Sequence, residues 1–446
     1  AARWLVHHGA RCLMLLGRRA PSEAAERELA AMRAEGARVL VEQVDLADTA
    51  RLGALVWRTR GELPRLRGVL PRDVAVSRVE PGGMWAVTRY EDVRYVLKNP
   101  QLFSSEGFRA SVQPAWLPLR NPVIDSLLMM DPPVHTRLRS LITRSFSVPG
   151  VARLEPSIRA SAEEIVADML ARRRVDFVES MGLGLPSRAM SALLGLDPAL
   201  APRFKRWADA VTEVGIVPPE QTQRRAELVA DLEDLTHHLR GVLELRRRQP
   251  GEDVVTDLLQ AQAQGGVMSE DELLGFLVIL LVAGLETTYD LLGLCGLMLA
   301  DHPELWARLK QDRALVPRFI EEVLRFESPS QSTIRTTTQE VELGGVRLPK
   351  GATVLVQFVS ASRDESVYRD AHRFDLERTG PPSLAFGQGI HFCVGAPLAR
   401  LEAPLVLREL LERMPRLTLA PRQQGQAIYP ASFAVRGPRS LWLQQG

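Results

Sequence analysis

The sequence predicts a mainly helical protein with small β-sheets, preceded by a short α/β segment. Three observations carry that expectation. Apolar residues recur at helical spacing over most of the chain, short β-rich runs cluster between residues 341 and 358, and residues 1 to about 70 alternate between strand-like and helical patterns. The 446 residues are 46% hydrophobic and 25% charged, enough apolar content for a sizeable core and against wholesale disorder. A net charge of +2 makes no case for nucleic-acid or membrane binding.

Taken in order, Cys12-Leu13-Met14-Leu15-Leu16 reads as a strand, followed by Gly17-Arg18-Arg19, an alanine-rich helix, and a second strand running to Asp45. Val74 to Val79 and Trp85 to Val93 then read as short strands leading into a helix. Helical patterning covers 91–99, 135–146, 156–171, 186–195, 198–214, 220–248, 270–299, 303–325 and 397–413. Strands fit Val341 to Pro349, with a tight turn at Gly344-Gly345, and Thr353 to Phe358. The basic runs Arg172-Arg173-Arg174 and Arg246-Arg247-Arg248 are expected to cap helix C-termini. Cys12, Cys295 and Cys393 form no disulfide framework, and the lack of a signal peptide favours a reducing cytoplasm.

Near the C-terminus, Phe386-Gly387-Gln388-Gly389-Ile390-His391-Phe392-Cys393-Val394-Gly395 presents one cysteine on a loop just before a helix. Gly387, Gly389 and Gly395 permit backbone angles and close approaches that a Cβ forbids, so the loop can fold tightly against a flat partner. At a helix N-terminus the free amides and the dipole favour thiolate over thiol. Cys393 is therefore read as a metal ligand, and a thiolate is what haem iron needs if an O–O bond is to be cleaved. A lone cysteine is more often a small buried apolar residue. Three glycines, an aromatic and a histidine at fixed offsets reverse those odds.

Glu270 to about Leu299 reads as one helix, apolar on every face around Leu273 to Gly284, hence buried in a large core. The competing membrane-span reading is set aside because Glu286, Thr287, Thr288 and Asp290 end the apolar run well short of the ~20 residues a bilayer requires. Within it, Ala283-Gly284-Leu285-Glu286-Thr287-Thr288 puts an acid and an alcohol just beyond two small residues. A mid-helix threonine can bond a preceding carbonyl, and a buried carboxylate beside a hydroxyl can relay the two protons that O–O cleavage consumes. Two packing residues in a kinked helix is the plainer alternative. Elsewhere, Glu322 and Arg325 lie three apart on a helix and can pair, with Ile320, Val323, Leu324 and Phe326 around them suggesting burial.

The cysteine stretch resembles the haem-binding signature of the cytochrome P450 superfamily, Phe-x-x-Gly-x-His-x-Cys-x-Gly, and matches it at every specified position. The resemblance implies the cytochrome P450 fold over residues 71–446, with Cys393 as axial thiolate to haem b and His391 donating to a haem propionate. Phe386, Gly387, Gly395, Ala283 and Gly284 are implied as further haem contacts, and Glu286 and Thr287 as the oxygen-activating acid and alcohol. His135 and Arg139, four apart on a helix begun by Pro132-Pro133, match propionate-binding positions, as does Arg335. Glu322 and Arg325 match the Glu-x-x-Arg motif, with Arg373 in the position of the network's third member.

By the same resemblance the chain is a soluble bacterial-type monooxygenase. It takes electrons from NAD(P)H through a ferredoxin and a ferredoxin reductase, and Arg400 lies on a basic face suited to an acidic ferredoxin. Phe103, Phe108 and Trp116 in the loop-rich region 101–125, together with Phe276, Ile279, Leu280 and Thr333, are expected to meet a hydrophobic substrate or else belong to the core.

Residues 1–70 resemble part of a ketoreductase domain of a modular polyketide synthase, in the short-chain dehydrogenase family, with Arg18 and Arg19 where a 2′-phosphate is held and Asp45 where adenine is contacted. The glycine-rich phosphate loop and the Ser/Tyr/Lys set are missing, so the segment is expected to be a catalytically silent remnant of a fusion or a misjoined start. It points to a polyketide or macrolide substrate, to be hydroxylated or epoxidised with dioxygen. A peroxide-driven peroxygenase, a haem protein without turnover and an NADP-dependent reductase remain as rivals.

Overall fold

The computed structural model describes residues 12–17, 23–34, 38–43, 75–79, 83–172, 174–264, 268–420 and 434–444. At the N-terminus, β1 (Cys12–Gly17) and β2 (Arg38–Gln43) pair in parallel, with helix α1 (Glu23–Ala34) between them in the chain. This is the βαβ unit that the alternation predicts. Arg18, Arg19 and Asp45 lie outside the described residues.

From Ala75 onward the chain is mostly helical. It begins with β3 (Val76–Val79), β4 (Met84–Val87), α2 (Tyr90–Lys98) and β5 (Phe103–Ser104). Then come α3 (Val134–Ile142), α4 (Glu155–Leu170), β6 (Arg174–Asp176), α5 (Gly184–Leu194), α6 (Ala201–Glu213), α7 (Thr222–Arg248) and α8 (Val254–Ala263). The long α9 (Glu270–Asp301) is followed by α10 (Pro303–Gln311) and α11 (Val316–Phe326). Next are β7 (Ser332–Thr337), β8 (Val341–Leu343), β9 (Val346–Leu348) and β10 (Thr353–Gln357). The last elements are α12 (Ala396–Arg413), β11 (Thr418–Leu419) and β12 (Trp442–Gln444). The sheets are small: a five-stranded β3-β4-β10-β7-β5, a three-stranded β11-β12-β6, and the β8-β9 hairpin, whose turn takes positive φ at Gly344 and Gly345.

Helix α9 organises the core. Its start is fixed by a reciprocal cap: the Glu272 amide donates to Ser269 Oγ (3.1 Å) and the Ser269 amide to Glu272 Oε2 (2.7 Å). Arg137 of α3 also donates to Glu272 at 2.6 Å, tying the two helices together. By length and composition α9 could cross a membrane, contrary to the short apolar run expected, but its apolar stretch is mostly buried against the rest of the chain. Burial, and not shortness, makes it a core helix.

Several expected boundaries move, for local reasons. The 303–325 helix is two, because Asp312 turns out of the helix and caps the Ala314 amide at 2.9 Å, and Pro317 restarts the chain in α11. Helix α8 was not expected; it starts where Asp253 accepts from the Thr256 amide at 2.9 Å. The 135–146 helix ends at Ile142. The basic runs end helices but pair in two ways: Arg172 and Arg248 turn back to Asp168 and Glu244 on their own helices, whereas Arg246 bonds Asp253 (2.5 Å) and the Gly195 carbonyl (2.9 Å), and Arg247 reaches Glu270 (2.5 Å).

Below α9, Glu322 is 4% exposed and fully engaged. Arg325 grips it through Nε and Nη2 (both 2.8 Å), the Asp375 amide donates at 2.9 Å, and Arg378 Nε donates at 3.0 Å. Arg373 is exposed, and its backbone carbonyl alone joins this group, accepting from Arg325 Nη2 at 3.0 Å. The expected third guanidinium is thus Arg378, which the turn after Asp375 folds back over the acid. Removing the acid strands two buried cations. Glu322→Ala is expected to lower unfolding free energy by about 3–5 kcal/mol, read from urea denaturation; a loss under about 1 kcal/mol would mean that the network is not structural.

Candidate functional site

The cysteine loop is shaped by two left-handed glycines, Gly387 (φ 68°) and Gly389 (φ 73°). At Gly389 a Cβ would lie 2.2 Å from the Leu97 carbonyl oxygen, so the loop sits directly on the end of α2. Gly395 has ordinary helical angles, φ −80° and ψ 0°, and an added Cβ would meet the Cys393 sulfur at 3.9 Å. The Cys393 amide donates to the Phe386 carbonyl at 2.9 Å, closing the loop three residues before α12 begins. Burial pushes the Cys393 thiol up, and the amides of Gly395 and Ala396, with Arg139 and Arg400, only partly oppose it. The amides at the helix N-terminus act in the expected direction, toward the thiolate, while desolvation acts against it.

Cys393 faces a cavity of about 340 Å³. Four distant parts of the chain meet there: Ala283 and Thr287 from α9, Arg139 from α3, Arg335 from β7, and Phe386, Gly387 and His391 from the loop. The Thr287 hydroxyl donates to the Ala283 carbonyl at 2.7 Å, the expected bond back along the helix. Gly284 does not line the cavity; a Cβ there would strike Met190 Sδ at 2.4 Å, so its smallness serves packing of α9 on α5. Glu286 points away from the cavity, 9% exposed and 3.9 Å from Arg439, and burial raises its carboxyl above the usual range.

One wall gathers nitrogen donors. His135 is 1% exposed, and neither of its buried ring nitrogens has a hydrogen-bond partner among the described residues. Its ring lies 4.4 Å from that of His391, whose Nε2 is 2.9 Å from Ser105 Oγ. Arg335 is 5% exposed, and burial pulls its guanidinium down to about 10. Among the described residues neither Arg139 nor Arg335 has a salt-bridge partner within 4.0 Å. A buried and a half-buried arginine, with His391 backed by the orphaned imidazole of His135, lie across a largely apolar cavity from the thiol and suit a flat group that brings its own carboxylates and a thiophilic metal. Haem is such a group, and the residues fit it.

Of the expected substrate contacts, Phe108, Phe276, Ile279, Leu280 and Thr333 line the cavity. Phe103 does not: it is fully buried under the five-stranded sheet, edge-on to Tyr95 at 6.1 Å. Trp116 does not either, its ring being stacked under Arg225 at 4.6 Å. Sequence reasoning missed Leu127, Leu128 and Val435 in the lining, and Ser105 behind His391. It also missed Glu402, 1% exposed, bonded to Thr288 and pushed up to about 8 by burial. No local pattern marks these, since their neighbours come from far along the chain. On the opposite face of the loop Arg400 is paired with Glu321 at 2.6 Å and stacked on Phe386 at 4.6 Å.

Comparison with known proteins agrees with this geometry. The cytochrome P450 family model matches residues 199–441, and a KR domain model matches residues 1–78. Cytochrome P450 107B1 of Saccharopolyspora erythraea is 37% identical over 373 residues, covering 81% of this chain and 89% of its own. The 6-deoxyerythronolide B hydroxylase of the same organism is 34% identical, covering 85% and 94%. Among solved structures, cytochrome P450 CYP109Q5 from Chondromyces apiculatus superposes with a TM-score of 0.77 at 37% identity, covering 87% of this chain and 96% of that one.

The contact at Gly389 yields a test of the loop. Gly389→Ala combines a left-handed alanine with a clash against backbone, and is expected to cost at least about 2 kcal/mol of stability, read from the urea midpoint. A midpoint within error of the parent would show that the loop does not depend on this seat.

Proposed function

The chain belongs to the cytochrome P450 family and is a haem-dependent monooxygenase supplied with electrons by partner proteins, and from that premise we propose which of its residues do the work and on what. The observation that carries the assignment is the meeting of Cys393, Arg139, Arg335, Ala283 and Thr287 on one cavity. Haem b, when bound, supplies an iron that activates dioxygen, so that one oxygen atom enters the substrate and the other leaves as water. Cys393 is its thiolate ligand, and the metal's charge would draw the proton off a thiol that burial otherwise protects. His135, Arg139 and Arg335 hold the propionates, with the unpartnered His135 nitrogens as the clearest sign. His391, fixed by Ser105, backs them.

On the α9 side, Glu286 holds a proton more readily than an exposed glutamate. Thr287 spends its own hydrogen on the Ala283 carbonyl, which leaves its oxygen lone pairs able to accept from a water in the cavity. The pair can thus pass protons from Glu286 toward the reaction centre. Phe108, Leu127, Phe276, Ile279 and Leu280 exclude bulk water.

Apart from Arg139, Arg335 and His391, no ionisable side chain but the thiol lines the cavity among the described residues. That favours a neutral, hydrophobic substrate. With the KR match and a relative named for 6-deoxyerythronolide B, it supports a polyketide or macrolide that is hydroxylated or epoxidised. Electrons come from NAD(P)H by way of a ferredoxin and its reductase, in the cytoplasm. Residues 1–70 are a non-catalytic KR-like segment and 71–446 the haem domain.

The reduced, carbon-monoxide-treated protein is expected to show the red-shifted Soret band of a thiolate-ligated ferrous carbonyl, and Cys393→Ser to abolish it. A band indifferent to that change would overturn the assignment. Thr287→Ala is expected to cut product formed per NADPH by about tenfold or more, with peroxide released instead. Unchanged coupling would remove Thr287 from the relay.

A further inference from the structure

Asp131 sits immediately before α3 and is bonded in two directions. Its backbone carbonyl accepts from the His135 amide at 3.0 Å, closing the first turn of that helix. Its carboxylate faces the loop that carries Phe108: Oδ1 accepts from the Ser105 amide at 2.9 Å and Oδ2 from the Ser104 hydroxyl at 2.5 Å. Ser105 is itself buried, and its Oγ lies 2.9 Å from His391 Nε2. The rings of His135 and His391 are 4.4 Å apart. One half-buried aspartate thus fixes the backbone that carries one imidazole and, through a single hydroxyl, the ring of the other.

The support beneath this chain of bonds is stiff. Ser104 pairs with Thr336 on β7, the residue after Arg335, and a Cβ on Gly107 would fall 1.8 Å from Thr336 Oγ1. The 104–107 turn is therefore seated directly on the strand that bears the buried guanidinium. Asp131 also acts through space. Burial disfavours positive charge on Arg335 and on His135, and the Asp131 carboxylate opposes it at both. Asp131 does not line the cavity; its charge stands behind the wall that holds Arg335.

We propose that Asp131 is a positioning residue for the haem site: by way of Ser105 it sets the His391 ring against the propionate wall, and its negative charge biases bound iron toward the ferric state. This rests on the assignment of His135, Arg139 and Arg335 to the propionates given above. Asp131 touches neither haem nor substrate and acts only through its neighbours and its field. Reduction adds an electron to the iron, so taking away a nearby negative charge makes that electron easier to accept.

The experiment uses the holoenzyme without added substrate. The parent is compared with Asp131→Asn, which keeps the shape and an acceptor for the Ser105 amide but loses the charge, with Ser105→Ala, and with Ser105→Thr, which keeps the hydroxyl. In a spectroelectrochemical titration Asp131→Asn is expected to shift the ferric–ferrous equilibrium about tenfold toward ferrous, about 59 mV for one electron. Haem transfer to excess apomyoglobin is expected to be about tenfold faster from Ser105→Ala, because His391 loses its anchor, and to return to the parent rate in Ser105→Thr. A redox equilibrium in Asp131→Asn within about twofold of the parent overturns the proposal. So does a release rate from Ser105→Ala equal to the parent's, or one that threonine does not restore. A parent protein without the thiolate-ligated carbonyl band overturns the haem reading and this proposal with it, whereas a parent that has the band and is matched by its variants overturns this proposal alone. Should Asp131→Asn not fold, the two Ser105 variants decide it.

Discussion

The backbone of the sulfur-bearing loop rests on the Leu97 carbonyl at Gly389, with no space for a side chain between them. Everything at the cavity inherits its position from that contact. Arg94 of α2 holds the same loop from the side through Gln388 at 3.1 Å, and the Phe386 carbonyl closes it by accepting from the Cys393 amide. Once the loop is seated, α12 leaves it at a fixed angle and packs on α4 and α11. The thiol shares its cavity with Ala283 and Thr287 of α9, a helix capped at Ser269 and buried along most of its length. A position set by backbone against backbone is less forgiving than one set by side chains, and a metal ligand needs that intolerance.

The buried acids divide into two kinds. Glu322 collects four donors. Glu402 has the Thr288 hydroxyl, and Asp290 has no donor among the described residues. The satisfied acid belongs to the framework below the loop, whereas the two poorly satisfied ones lie on α12 and α9, next to the residues that meet at the cavity. Stability alone would replace such groups with apolar ones.

What was legible in the sequence was whatever depends on residues close together in the chain. The loop from Phe386 to Gly395, the back-bonded Thr287 and the Glu322–Arg325 pair were all visible, because a turn, a helix step or a spacing of three specifies them. The cavity-lining helix positions Phe276, Ile279 and Leu280 were visible for the same reason. Quantities set by the assembled environment were not. Arg378 displaces Arg373 because a turn redirects the chain, Phe103 sinks under a sheet and Trp116 is covered by Arg225. Helix α8 escaped notice although Asp253 is a conventional cap, its run being short and weakly patterned.

All but the last residue of strand β3 falls within the stretch matched by the KR domain model, yet it pairs along its length with β4, the neighbour of β10 in the haem domain's largest sheet. Ancestry and architecture therefore divide the chain at different residues. A truncation guided by similarity, cutting after residue 78, would strip an edge strand and bare the amides and carbonyls of β4 to other molecules. Any recombinant form meant to keep this sheet intact has to begin upstream of Ala75.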